Sequence, residues 1–203
     1  FLMEMNIFTI GHSDHKIESF ISLIKKFGID VVADVRSNPY SKHHPQFNKE
    51  SLKEKLKESG VNYVFMGDEL GARPKDSDCY VNGVVDFSIL SKKESFKNGI
   101  ARLIDGIKKN FKIAIMCSEK EPLDCHRTIL VSKELKKMGV KISHILYNGK
   151  CEDMETTEKR LVNSAGLSIF QMNASEEEQI KTAYKNRERE IYTVADNTEK
   201  YGE

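Results

Sequence analysis

The run Val31 to Val35, VVADV, is apolar at four of its five positions and β-branched at three. A strand with one wet face alternates apolar and polar residues. This one does not, so it suits a strand buried on both faces, as in a parallel sheet lying between helices. Other short apolar runs recur along the chain at Ile7 to Ile10, Tyr63 to Met66, Ile113 to Met116 and Ile142 to Leu146. Stretches with helical spacing separate them. Ile17, Phe20, Ile21, Ile24 and Phe27 form one apolar stripe, closed by Gly28, and Leu52 and Leu56 mark a second, closed by Gly60. Phe96, Ile100, Leu103, Ile104 and Ile107 give a third, and Asp124 to Met138 a fourth that stops at Gly139. Ser13 or Asp14 is placed to cap the first helix, Asn48 the second and Asp124 the fourth.

Strands alternating with helices predict a three-layer α/β/α core with a mainly parallel sheet of about five strands. Gly67 to about Phe87 reads as irregular. Beyond Gly149 the composition turns polar, and two helices are expected, roughly Asp153 to Ser164 and Ser175 to Arg189. Ser175 and Glu178 have capping-box spacing. The end, from Ile191, reads as a short strand and a tail. The division expected is a core over residues 1–149 and a polar, mostly helical extension over 150–203 that packs on it.

The 203 residues are enough to bury a core without covalent staples, and the formal net charge of +1 argues neither for nor against a nucleic-acid partner. No apolar run reaches membrane-spanning length, and the opening FLMEMNIFTIGHS lacks the pattern of a secretion signal. The four cysteines therefore read as reduced thiols, and the location expected is the cytoplasm, with no membrane partner.

In open parallel sheets, ligands bind outside the carboxyl ends of the strands. Unusual polar residues fall there: Gly11-His12-Ser13 after the first strand, Arg36-Ser37 after the second and Cys117-Ser118-Glu119 after the fourth. Ser13, Arg36, Cys117, Glu119 and Arg127 are expected to line one concave site. Arg36 and Arg127 suit bidentate capture of phosphate or carboxylate, with an internal salt bridge to Asp34 or Glu119 as the bland alternative. His12 is a candidate for proton transfer or for hydrogen-bonded capping. The loop SKHHPQF gathers Lys42, His43 and His44 beside Tyr40 and Phe47, a mixture that holds nucleotides or single strands and that also occurs in plain solvated loops. Arg73 sits on a further loop, with Gly71 permitting close backbone approach.

The stretch MCSEKEPLDCHR, Met116 to Arg127, holds two thiols, a histidine and an arginine. As a zinc site it lacks the CxxC hook, and Cys125 and His126, as neighbours at a helix start, are not expected to share a face, so no metal and no other cofactor is expected. As a nucleophile site it fares better. A helix N-terminus at Cys125, His126 and Arg127 favours thiolate and anions, Cys117 faces the same pocket, and Glu119 is a general acid or base if burial raises its pKa. The bland alternative is buried structural cysteines and an arginine that pins the loop.

TIGHS, DVRSNPYSKHHPQF, LGARP and MCSEKEPLDCHR, in this order, resemble the bacterial and archaeal family called domain of unknown function 488, over about Phe8 to Leu146. Cys117, Glu119, Pro122, Cys125, His126 and Arg127 all fit that family's C-x-E-x-x-P-x-x-C-H-R block. Leu123 stands where the family carries an aromatic residue, and Ala72 where it often has a second glycine. The resemblance implies a fold and a shared pocket without a reaction. A looser similarity links the DVR block and the cysteine loop to rhodanese-like sulfurtransferases. The functional expectation is an enzyme, a hydrolase or transferase with Cys, Glu and His chemistry, acting on an anionic small molecule such as a nucleotide or nucleic-acid component. Cys117, Glu119, Cys125 and His12 are its catalytic candidates. Ser13, Arg36, Ser37, Arg73, His126 and Arg127 are its anion-binding candidates. Two readings stand beside it: a non-catalytic nucleotide or nucleic-acid binding module, and a sulfurtransferase carrying a persulfide on Cys117.

Overall fold

The computed structural model describes residues 4–199. The chain runs β1 (Asn6–Gly11), α1 (Ile17–Lys26), β2 (Val31–Asp34), α2 (Lys49–Glu58), β3 (Asn62–Phe65) and a short α3 (Gly67–Leu70). A hairpin of β4 (Tyr80–Val81) and β5 (Val84–Val85) follows, then α4 (Phe87–Leu90), α5 (Glu94–Lys108) and β6 (Ile113–Cys117). The remainder is α6 (Lys133–Lys137), β7 (Lys141–Ile145), β8 (Cys151–Asp153), α7 (Met154–Ser164), α8 (Ile169–Met172) and α9 (Glu176–Glu199).

The main sheet has six strands in the order β3-β2-β6-β1-β7-β8. The first five of that order are parallel, and β8 is antiparallel to β7 at the edge. The period of two along β2 decides which helices cover which face. Val32 joins Phe20 and Ile24 of α1 and Leu52 and Leu56 of α2 in one apolar cluster. Val31 and Ala33 join Phe96, Ile100, Leu103 and Ile107 of α5, Leu135 of α6, Met154 and Leu161 of α7 and Ala183 and Tyr184 of α9 in the other. Burying such a side chain fully stabilises by roughly 1.5–3 kcal/mol, so each face holds its helices through several such contributions.

The five apolar runs are the five parallel strands, within a residue or so of the expected limits. The departures have local causes. Ser13 and Asp14 do not cap α1. Its first residue is Ile17, its cap position is Lys16 without a side-chain bond, and Ser13 sits at φ 45°. Asn48 does occupy the α2 cap position, but its Oδ1 accepts the Ser41 N–H at 2.7 Å instead. The irregular stretch is partly ordered: Asn82 (φ 53°) and Gly83 (φ 79°) make the two-residue turn of the β4–β5 hairpin. Asp153 caps α7 by accepting the Thr156 N–H at 2.7 Å, and Ser175 and Glu178 exchange the two bonds of a capping box ahead of α9. The strand expected from Ile191 is not formed, because α9 continues through Glu199; residues 200–203 lie outside the described part. No helix among the described residues is long and apolar enough to cross a membrane.

Candidate functional site

β1 and β6 lie side by side, and their outgoing connections run in opposite directions, to β2 on one side and to β7 on the other. A cleft of ≈ 350 Å³ opens there, within the usual range for small-molecule sites. His12, Arg36, Ser37, Arg73, Cys117, Glu119, Cys125 and His126 line it, with Tyr40, His44, Asp124 and Ile191 around its edge. Of the residues expected there, Ser13 and Arg127 are not in the lining.

Gly11 explains how the wall after β6 comes so close. A Cβ at Gly11 would lie 1.8 Å from the Glu119 carbonyl oxygen, so only glycine lets the loop close over the end of β1. The N–H groups of His12 and Ser13 then donate to the carbonyls of Cys117 and Ser118, both at 2.9 Å. Ser13 is a loop fastener, and its hydroxyl donates to Asp14.

Arg127 corrects the sequence expectation. It is fully buried beneath the loop, where its guanidinium donates to the carbonyls of Glu119 at 2.7 Å and Lys120 at 3.4 Å. It is not among the residues that line the cleft. No carboxylate pairs with it among the described residues, and its Nε–H has no hydrogen-bond partner.

Arg36 lines the cleft, but its charge is already met. Its Nε and one terminal nitrogen grip the buried Asp34 at 2.9 and 2.7 Å, and the second of these also donates to the Phe47 carbonyl at 2.8 Å. Tyr63 donates its hydroxyl to the same aspartate at 2.6 Å, and burial first, then the neighbouring Asp34 carboxylate, raises the phenol's pKa. The other terminal nitrogen of Arg36 donates to His12 Nε2 at 3.1 Å, while His12 Nδ1 donates to the Ser13 carbonyl at 2.9 Å. His12 stacks on Phe47 with ring centroids 4.3 Å apart. Burial first, and Arg36 second, push it down to about 4, so it is a neutral ring with both nitrogens engaged. Arg36 and His12 therefore hold the wall of the cleft together.

The floor belongs to Cys117, Cys125 and His126, whose donor atoms all lie within 4.8 Å of one another. Cys125 and His126 do share a face, contrary to the sequence expectation. Cys125 has extended backbone (φ −133°, ψ 138°), so the spacing of helical side chains does not apply to it. Its carbonyl accepts the Thr128 and Ile129 N–H groups at 3.0 and 3.1 Å and starts the helix. Asp124 caps nothing there and pairs instead with Arg187 of α9 at 3.5 Å. Residues Arg127–Ser132 are wound as a π-helix before α6 takes over, and such turns often accompany functional sites.

His126 Nε2 lies 3.0 Å from the Val35 carbonyl, which only accepts, so Nε2 carries the hydrogen. Nδ1 is thereby turned to the sulfurs, 3.6 Å from Cys117 Sγ and 4.0 Å from Cys125 Sγ. The Cys125 thiol directed at Cys117 holds Cys117 below the usual thiol range, with Arg127 assisting against burial, whereas burial drives Cys125 well above it. Of the two sulfurs, Cys117 is the more readily deprotonated.

The family model described as "Domain of unknown function DUF488" matches residues 16–133, more than half of the chain. The chain belongs to this family. The DUF488 match takes in Arg36, Arg73, Cys117, Glu119, Cys125, His126 and Arg127, and begins after His12 and Ser13. Searches of the curated proteins and of the solved structures find no match. The salt bridge of Arg36 to Asp34, the bland alternative in the sequence, is the one formed, whereas Tyr63 and the Val35 carbonyl, which also orient this DUF488 site, were not foreseen. The two-residue spacing from Asp34, the last residue of β2, to Arg36 just beyond it was the available signal.

Proposed function

We propose that this chain is an enzyme whose reaction centre is the Cys117, Cys125 and His126 cluster, and whose cleft admits a small anionic substrate of the nucleotide or nucleic-acid-component class. One observation carries the reading: two thiols and an imidazole with a fixed tautomer meet at the floor of a concave site. A reactive group, a partner within hydrogen-bond reach and a third group that orients the partner are the parts that such chemistry needs. Glu119 is exposed on the same wall, without the burial that the sequence expectation asked for, and in this reading it is the proton carrier. Arg73 and His44 are rim groups for an anion, and Tyr40, half exposed, offers a ring for a base to stack on. The reaction class is hydrolysis or group transfer.

A second reading has its own support. The depressed pKa of Cys117 suits a thiolate that carries a persulfide, as in a sulfurtransferase. A binding module without chemistry is the third.

The test is calorimetric titration with inorganic phosphate, nucleoside monophosphates and short single strands, alongside turnover assays on the same samples. Binding is expected to weaken as salt rises, and to weaken about tenfold in Arg73→Ala, the loss of ~1.4 kcal/mol of contact energy. Cys117→Ser is expected to bind as well as wild type and to turn nothing over. Binding without turnover in the wild type assigns the module. A mass gain of one sulfur on Cys117 after exposure to a sulfane donor assigns the sulfurtransferase. If none of these anions binds, the cleft does not serve them.

A further inference from the structure

The cleft floor also has the make-up of a metal centre. We infer that Cys117 Sγ, Cys125 Sγ and His126 Nδ1 hold one zinc-class divalent ion with its fourth coordination position open to the cleft. The inference takes the location of the reaction centre from the reading above and does not depend on the substrate.

Donor type is the first support. Two sulfurs and one imidazole nitrogen form a soft set that selects zinc and its neighbours over magnesium or calcium. Spacing is the second. With Zn–S of about 2.3 Å and Zn–N of about 2.0–2.1 Å, a tetrahedron has S···N edges of roughly 3.6 Å. The structure has 3.6 and 4.0 Å, with every pair of donor atoms inside 4.8 Å.

The surroundings of the donors are the third support. A metal-bound histidine nearly always gives its other N–H to a carbonyl or carboxylate, and His126 Nε2 gives its hydrogen to the Val35 carbonyl at 3.0 Å. The Arg127 backbone N–H donates to Cys125 Sγ at 3.4 Å, a bond that stabilises thiolate. Charge is the fourth. Two thiolates and a divalent ion are neutral together, and a hydroxide or substrate oxyanion in the open position makes the group −1. Arg127 is buried beside them as a full positive charge with no carboxylate partner among the described residues, and it supplies the balance.

All three donors line the cleft, so an exchangeable ligand meets the substrate there. No further His, Cys, Asp or Glu joins the group among the described residues, which is the pattern of a centre that works on a ligand and not of a closed structural one. The bound water gives its proton to the Glu119 carboxylate, and the resulting hydroxide forms the new bond to the substrate's electrophilic atom. The leaving group departs with the bonding pair and takes the proton back from Glu119.

The experiment uses the full chain, purified under reducing conditions, stripped with a chelator and titrated with cobalt(II) alone. Expected are one cobalt per chain, thiolate-to-cobalt charge-transfer bands and visible bands of tetrahedral intensity, all displaced by zinc. Cys117→Ser and Cys125→Ser should each weaken metal affinity by more than about tenfold, and His126→Ala likewise. Cys151→Ser, at an exposed thiol outside the cluster, should leave the spectrum unchanged. A wild-type measurement covers the case of a variant that does not fold: zinc should protect Cys117 and Cys125, but not Cys151, from alkylation. Reduced, folded wild type that takes up no cobalt overturns the inference, and so does a spectrum that changes in Cys151→Ser. Neither readout involves substrate, so a failed anion titration leaves this result standing, and a failed metal titration leaves the thiol readings of the cleft open.

Discussion

Asp34 is the residue on which the wall of the cleft turns. It is fully buried and accepts from Arg36 N at 3.1 Å, from the Arg36 guanidinium at 2.9 and 2.7 Å and from Tyr63 Oη at 2.6 Å. Removing one charge from such a pair leaves the other stranded in low dielectric. Asp34→Asn should therefore cost about 3–5 kcal/mol in urea unfolding, whereas Tyr63→Phe should cost only about 1–2 kcal/mol. If the two variants unfold at the same urea concentration, the aspartate is not carrying the charge of Arg36. The sequence allowed this pair, with Arg36 only two positions beyond Asp34 at the end of the strand, but allowed a free Arg36 equally well. Arg127 was less legible. Position in a helix's first turn does not say whether a long side chain swings out to the cleft or back under the preceding loop, and the carbonyls of Glu119 and Lys120 decide that. The meeting of Cys125 with His126 was hidden for a related reason, because one extended residue before the helix breaks the angular spacing assumed for neighbours.

Among the elements, the connection from β6 to the π-helix shapes the site, and β1 is the surface against which it closes. Gly11→Ala puts a methyl group onto the Glu119 carbonyl, so the loop has to lift. The expected result is a loss of about 1–3 kcal/mol, together with weaker cobalt binding at Cys117 and Cys125 because the loop carries both ends of that cluster. Circular dichroism unchanged and cobalt affinity unchanged would show the loop to be softer than its contacts imply. Elements with an apolar signature were plain in the sequence. β8 was not, because its three residues, Cys-Glu-Asp, pair at an edge and need no buried face. The β4–β5 hairpin was readable in principle from Asn82-Gly83, whose residues both adopt the positive φ that this turn requires. The start of α1 was misplaced because Ser13 is occupied by the loop after β6, a contact about a hundred positions away.

For the whole molecule, three buried imidazoles respond to acid: burial lowers the pKa of His15, and it lowers those of His144 and His12 more strongly. Burial, aided by nearby arginines, pushes His144 down to about 3 and His12 down to about 4. His144 lies between Thr9 Oγ1 at 2.8 Å and Met154 Sδ at 3.3 Å, within the interior. Both folded values lie below that of a free imidazole, about 6.5, so the unfolded chain binds more protons in that window. The stability they contribute is present above about pH 6.5 and is lost as pH falls toward the folded values. At pH 5 the loss should be on the order of 1–2 kcal/mol each for His144 and His12, and His144→Gln should shrink the difference in urea midpoint between pH 7.5 and pH 5. An undiminished difference in that variant would place the acid sensitivity elsewhere. The layered architecture was legible because it follows from where apolar residues recur. The order of the strands was not, since it depends on which face each connecting helix takes. That order sets β6 between β1 and β2 and so brings residues from three distant segments to one opening. Beyond the matched family span, α9 adds Ile191 as one bank of that opening and Arg187 as its tie to Asp124. The helix is thus part of the rim as well as a cover, and trimming it back would take away that bank and leave a wider trough in its place.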